Sequence, residues 1–174
     1  MQIFILGFMG SGKSTVGKLL APILNRSFYD LDLLIQQNTQ STINEIFSHH
    51  GEAYFRQLEK QVLENTQSLE KAVIALGGGT PCFFDNMEWI NKHGVSIYLD
   101  AAPGLLFQRL ISARESRPLV RQLNETELLQ YIKNKLEERR HFYEKASVIY
   151  KVQQQTPLEI AHHIATHFQQ ITGH

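Results

Sequence analysis

Residues 7 to 14 read Gly7-Phe8-Met9-Gly10-Ser11-Gly12-Lys13-Ser14, a match to G-x-x-x-x-G-K-[ST] directly behind the apolar run Ile3-Phe4-Ile5-Leu6. Three glycines let successive backbone N–H groups turn into one concavity, which is a site for a phosphate chain. Lys13 then reaches the β and γ phosphates, and the Ser14 hydroxyl is placed to ligate Mg²⁺. Beyond the loop, Ser14 to Leu24 puts Val16, Leu19, Leu20 and Ile23 on one side of a helix, whose positive N-terminus would face the phosphates. A glycine turn that merely joins a strand to a helix is the competing reading. Strand, loop and helix in this order favour nucleoside triphosphate binding.

Further chemistry sits in three places. Asp30 and Asp32 leave a short apolar stretch at alternate positions, so they point apart if the extended geometry persists and should have different tasks. A hard cation takes oxygen ligands or carboxylate-held water, whereas an attacking hydroxyl needs a carboxylate to orient it and take its proton. We assign Asp30 to the metal's hydration shell and Asp32 to the acceptor; a helix N-cap is the alternative for either. In the stripe Leu128, Ile132, Leu136, Arg139, Tyr143, the guanidinium of Arg139 falls on a face that otherwise buries apolar groups, which is expensive unless an anion pairs with it. Arg140 is turned about 100° away and reads as surface. Arg56 lies beside the apolar side formed by Phe55, Leu58 and Val62, and a solvated arginine remains open there. The run Ala72-Val73-Ile74-Ala75-Leu76 ends in Gly77-Gly78-Gly79, where close approach of a ligand to main chain would justify three glycines over a plain turn.

These residues need a scaffold to bring them together. A chain of 174 residues with 43% hydrophobic content can bury a sizeable core and points to a single domain. Short buried strands are expected at about 2–6, 27–30, 72–76, 95–99 and 147–152, with helical patterns between most of them. That alternation implies a parallel sheet covered on both faces, with ligands gathering at the carboxyl ends of its strands. Residues 33 to 61, helical and polar, would wall a pocket, and residues 112 to 124, interrupted by Pro118, would form a mobile lid. Within that lid, Arg117 offers a cation that can close over a transferring phosphate. Thr42 and Glu45 have the spacing of a capping box, start the next helix and are read as structural only.

Composition excludes other classes. Lys plus Arg and Asp plus Glu both count 17, so no global basic field attracts nucleic acid. The single cysteine, Cys82, excludes an internal disulfide and fits a reducing cytoplasm; it reads as a packed thiol. The run Ile3 to Phe8 is too short for a signal peptide or a membrane span. His163 and His167 lie four apart on the last helix, away from the stripe Ile160, Ile164, Phe168, Ile171. They read as surface residues in place of a metal site.

The ordered set of the Gly7 loop, Asp30-Leu31-Asp32, Ile46-Phe47 to Gly51-Glu52 to Phe55-Arg56, the triple glycine, Arg117-Pro118-Leu119 and Arg139 before Tyr143 resembles the shikimate kinase family over nearly the whole chain. The resemblance implies a three-layer P-loop kinase fold of five parallel strands. It also implies ATP- and Mg²⁺-dependent phosphorylation of the shikimate 3-hydroxyl on the chorismate route to aromatic compounds, by a cytoplasmic monomer. On it, residues 1 to 174 form one kinase domain, about 31–61 bind substrate and about 112–124 are the lid. Arg56 and Arg139 hold the substrate carboxylate, and Asp32 with the backbone at Gly77, Gly78 and Gly79 holds its hydroxyls. ATP is held by Gly10, Ser11, Gly12, Lys13, Ser14 and Thr15, by the lid arginine Arg117, and by an adenine pocket drawing on Arg109 and Gln155-Thr156-Pro157. The third strand ends in glycines where many nucleotidases carry an aspartate, which leaves Asp30 and Ser14 as the residues near Mg²⁺. Lys13, Asp32 and Arg117 carry the catalysis. A kinase for another small acid, gluconate-type, or for a nucleoside monophosphate is the nearest rival, and a nucleotide-gated regulatory module is a rival of a different class.

Overall fold

The computed structural model describes residues 1–113 and 122–172, so Arg117, Pro118 and Leu119 lie outside the described residues. Its strands are β1 (Gln2–Leu6), β2 (Ser27–Asp30), β3 (Ala72–Ala75), β4 (Gly94–Ala101) and β5 (Val148–Val152). All pair in parallel, in the order β2-β3-β1-β4-β5. The helices are α1 (Lys13–Ile23), α2 (Leu31–Thr39), α3 (Ile43–Asn65), α4 (Asn86–His93), α5 (Pro103–Ser112), α6 (Glu125–Tyr143) and α7 (Pro157–Thr172). Each expected strand is present, β4 being longer than its apolar run because it continues through Asp100 to Ala101.

Strand β1 is central, and its five residues are all buried. This is the run of continuous apolar side chains that a parallel strand covered on two faces requires. Gln2 is its polar exception, and its side-chain amide donates to the carbonyls of Thr66 and Leu69, so the buried group is satisfied. Helix α1 packs on α7, α5 on α6 and α2 on α3. The core gathers Phe4, Leu6, Phe8, Leu20, Leu31, Ile74, Leu106, Ile132 and Tyr143, each no more than 1% exposed. Each such side chain contributes about 1.5–3 kcal/mol by leaving water. No helix among the described residues is long and apolar enough to cross a membrane.

The strand order decides where the chemistry meets. Because β3 lies between β2 and β1, the segments leaving their carboxyl ends are neighbours: the glycine loop after β1, Asp30-Leu31-Asp32 after β2 and the triple glycine after β3. The polar segment 33 to 61 falls on two helices, with the second starting where the capping-box spacing places it. Gln40 in the left-handed region (φ 52°) ends α2, and the Thr42–Glu45 capping box starts α3. Helix α3 is itself kinked at Gly51, whose φ of 77° suits a residue without a Cβ.

Candidate active site

The loop after β1 takes its shape from glycine. Gly7, Gly10 and Gly12 all have positive φ, a region that costs side-chain-bearing residues energy. Its carbonyls are held by cations: Lys13 Nζ donates to Gly7 O and Phe8 O at 3.0 and 3.1 Å. From α5, Arg109 Nη1 donates to Gly10 O and Ser11 O, each at 3.1 Å. Ser11 Oγ is buried without a hydrogen-bond partner among the described residues. An unsatisfied hydroxyl inside an anion-binding loop fits a site completed by phosphate.

The two aspartates do not point apart as an extended strand would place them. The chain does not stay extended past Asp30: it turns into α2, and both carboxylates line the same cleft. Asp30 is the N-cap, its Oδ1 accepting from the N–H of Asp32 and Leu33, while Oδ2 accepts from Ser14 Oγ at 2.5 Å. The capping role and the position beside Ser14 are thus simultaneous, one oxygen for each. The Ser14 hydroxyl with the Asp30 carboxylate is a hard-oxygen donor set of the kind Mg²⁺ takes when it shares phosphate and water ligands. Among the described residues no cluster of three or more His, Cys, Asp or Glu forms a self-sufficient metal cage. Asp32 has a contrasting environment. Burial pushes its carboxyl up to about 6, the charges of Asp30 and Glu59 add to the rise, and Lys13 and Arg56 pull against it.

The triple glycine is where the remaining groups converge, and close approach rather than backbone freedom explains it, since none of the three has positive φ. A Cβ added at Gly77 would come 3.0 Å from Asp32 Oδ1 and 2.9 Å from Glu59 Oε1. At Gly78 it would meet Arg139 Nη1 at 3.5 Å, and at Gly79 the Arg56 Nη1 and Nη2 at 2.8 and 2.9 Å. Asp32, Arg139 and Arg56 therefore abut three consecutive residues of one turn.

Arg139 is half-buried on the otherwise buried stripe of Leu128, Ile132, Leu136 and Tyr143, as its spacing predicts. Among the described residues no carboxylate pairs with it. Its guanidinium lies over the Phe8 ring at 5.7 Å, and the Tyr143 hydroxyl on the same stripe donates to Gly78 O at 2.5 Å. Arg56 is no solvated arginine: its side chain is 11% exposed and pairs with Glu59 at 2.8 Å and Glu52 at 3.1 Å. Glu59, 1% exposed, also accepts from Thr80 Oγ1 at 2.6 Å. Sequence reasoning missed this carboxylate, although it falls on the stripe of Phe55 and Val62, the same signal that exposed Arg139.

A cleft of about 580 Å³ is lined by Gly10, Ser11, Gly12, Lys13, Ser14, Thr15, Asp30, Asp32, Gly77, Gly78 and Arg109. Arg56, Gly79 and Arg139 adjoin it through the glycine turn. Gln155 does not line it: its Oε1 accepts from the N–H of Gln153, and Pro157 and Ile160 form that wall instead. Cys82 is half-buried, and burial pushes its thiol up to about 11 against the pull of Arg139 and Arg56, so it is a packed thiol at neutral pH. His163 and His167 are exposed, and His163 bonds the Tyr150 hydroxyl.

A phosphate-binding loop on the central strand of a five-stranded parallel sheet, with a carboxylate and two arginines beside it, defines a P-loop kinase fold with a polar cleft next to the loop. The family model "Shikimate kinase" matches residues 9–169. A shikimate kinase of Bacteroides fragilis is 46% identical over 150 residues, covering 86% of this chain and 84% of that protein. The crystal structure of shikimate kinase from Bacteroides thetaiotaomicron superposes with a TM-score of 0.90 at 37% identity, covering 100% and 99% of the two chains. That of Acinetobacter baumannii shikimate kinase in complex with shikimate gives 0.87 at 34% identity, covering 99% and 93%. The chain belongs to the shikimate kinase family. It is a kinase, and ATP and Mg²⁺ are its cofactors.

Proposed function

We propose that this protein transfers the γ-phosphoryl group of ATP to the 3-hydroxyl of shikimate, giving shikimate 3-phosphate and ADP in aromatic biosynthesis. The observation that carries the reading is the meeting of Asp32, Arg56 and Arg139 on one glycine turn at the wall of the phosphate-loop cleft. Two arginines suit a carboxylate, each charge-assisted contact contributing about 1.5–3 kcal/mol. Asp32, its carboxyl pushed up to about 6 by burial and so a stronger base than a free aspartate, orients the acceptor hydroxyl and takes its proton. Gly77, Gly78 and Gly79 offer backbone to the substrate hydroxyls where no side chain fits.

On the nucleotide side, Gly10 to Thr15 cradle the phosphates, and Lys13 exchanges its loop carbonyls for phosphate oxygens. Ser14, with Asp30 behind it, would hold Mg²⁺, which would supply charge neutralisation on the phosphoryl oxygens. Arg109 reaches the adenine end while bracing the loop, with Gln155 next to the wall formed by Pro157. Arg117, on a lid over about residues 112–124, closes over the transferring group. We further propose that residues 1–174 act as one domain with a substrate segment at about 31–61, and that the protein is a cytoplasmic monomer.

A coupled kinase assay across shikimate, gluconate and nucleoside monophosphates tests the reading. Turnover confined to shikimate is expected. Equal or better turnover of gluconate overturns the substrate, and ATP hydrolysis unaffected by every acceptor supports a nucleotide-gated module instead.

A further inference from the structure

Arg56 is gripped in a way that leaves its face to a ring. Glu59 accepts a hydrogen bond from Nη1, and one oxygen of Glu52 accepts from Nε and Nη2. Of the five guanidinium N–H groups, one on each terminal nitrogen remains, and those are the two nitrogens that crowd Gly79. The Arg56 Cζ lies over the Phe83 ring, 4.1 Å from its centroid, and more distantly over Phe55 at 5.1 Å.

We infer that Phe83 is a positioning residue for substrate binding: its ring is the platform that fixes the Arg56 guanidinium for the ligand carboxylate. The inference rests on the proposed role of Arg56. A ring suits this task because it stabilises the cation through its face and uses none of the in-plane donors, whereas a third carboxylate would consume them.

The backbone is bent to hold the ring there. Phe83 is extended after the short 3-10 turn Thr80–Cys82, and Phe84 has φ 51°, a left-handed conformation rare for a bulky side chain. Both sides of this bend are tied to α3 or to one another. Thr80 Oγ1 donates to Glu59, Asn86 Nδ2 donates to Thr80 O at 2.8 Å, and Lys60 pairs with Asp85 while its ammonium lies over the Phe84 ring. Arg56, Glu59 and Lys60, all on one stretch of α3, meet the same loop. A strained residue that its surroundings over-determine beside a ligand site marks a constraint beyond stability.

The test uses steady-state kinetics of the full-length enzyme and the variants Phe83→Ala, Phe83→Leu, Phe83→Tyr, Arg56→Ala and the double variant Phe83→Ala/Arg56→Ala. Phe83→Ala should raise KM for shikimate about five- to thirtyfold and leave kcat and KM for ATP within about twofold. Phe83→Leu, which keeps apolar bulk and so keeps the loop packed, should behave like Phe83→Ala, and Phe83→Tyr should restore wild-type KM. The double variant should be no worse than Arg56→Ala. Rescue by leucine as full as by tyrosine, or an unchanged KM in Phe83→Ala and Phe83→Leu, overturns the platform while a raised KM in Arg56→Ala leaves the carboxylate reading standing. An Arg56→Ala enzyme with wild-type KM for shikimate overturns both.

Discussion

Asp32→Asn should make the protein more stable and nearly inactive. In the folded state, burial first and the charges of Asp30 and Glu59 next raise the Asp32 carboxyl from an ordinary value of 3.8 to about 6. The folded protein thus holds this proton more tightly than the unfolded chain, and ionised Asp32 is destabilising. That penalty is absent below about pH 3.8, grows as pH rises to about 6 and is constant above it. At about 1.4 kcal/mol per pH unit it reaches about 3 kcal/mol at pH 8, about half that at pH 5 and nearly zero at pH 3. Asparagine fills the same space without the charge, so the variant gains what wild type loses. Thermal unfolding followed by circular dichroism should show Tm raised by about 6–12 °C at pH 8, with the gain shrinking as pH falls. Turnover of the variant should drop at least about a hundredfold. Wild-type kcat/KM should fall tenfold per pH unit below about pH 6, where Asp32 is protonated. An Asp32→Asn protein no more stable than wild type at pH 8, together with a wild-type rate flat from pH 8 to 5, would refute both the environment assigned to Asp32 and its role.

Two substitutions address the acceptor site. Arg139→Ala should raise KM for shikimate about 10- to 150-fold and leave ATP affinity nearly intact, as loss of one charge-assisted contact implies; comparable losses for both ligands, measured by titration, would contradict the assignment. Gly79→Ala places a Cβ 2.8 Å from Arg56 Nη1, so the guanidinium must move. KM for shikimate should rise at least about tenfold while Tm stays within about 3 °C, because the clash is with a side-chain tip. An unchanged KM would show that Arg56 is not held where substrate binds.

Much of this arrangement is legible in the chain because it is local. Runs such as Ile3 to Leu6 and Ala72 to Ala75 specify their strands, since a strand covered on both faces is filled mainly by apolar side chains, whereas the edge strands β2 and β5 mix polar with apolar residues and are only partly buried. The spacing of Gly7, Gly10, Gly12, Lys13 and Ser14 specifies a loop whose geometry depends on its own residues. Arg139 betrays itself by occupying an apolar stripe. The same logic applied to Glu59 would have found the buried carboxylate that pairs with Arg56. The start of α3 was legible in the Thr42–Glu45 capping box, but the end of α2 was not, because Gln40 rather than glycine adopts the left-handed conformation there. Nor was the fate of the aspartates, because the bend after Asp30 overrides the alternation an extended strand would impose.

The sequence by itself determined the element types, the phosphate loop and the ordered motifs of the family, each encoded within a few residues by periodicity and backbone stereochemistry. Only the tertiary structure decided that β3 inserts between β2 and β1, and with it that Asp32, Arg56 and Arg139 share one glycine turn. It also decided that Arg109 braces the loop, that Phe83 lies under Arg56 and that burial pushes the Asp32 carboxyl well above the usual carboxylate range. These depend on contacts between residues far apart in the chain and on the loss of water between them, and neither is a property of any short segment.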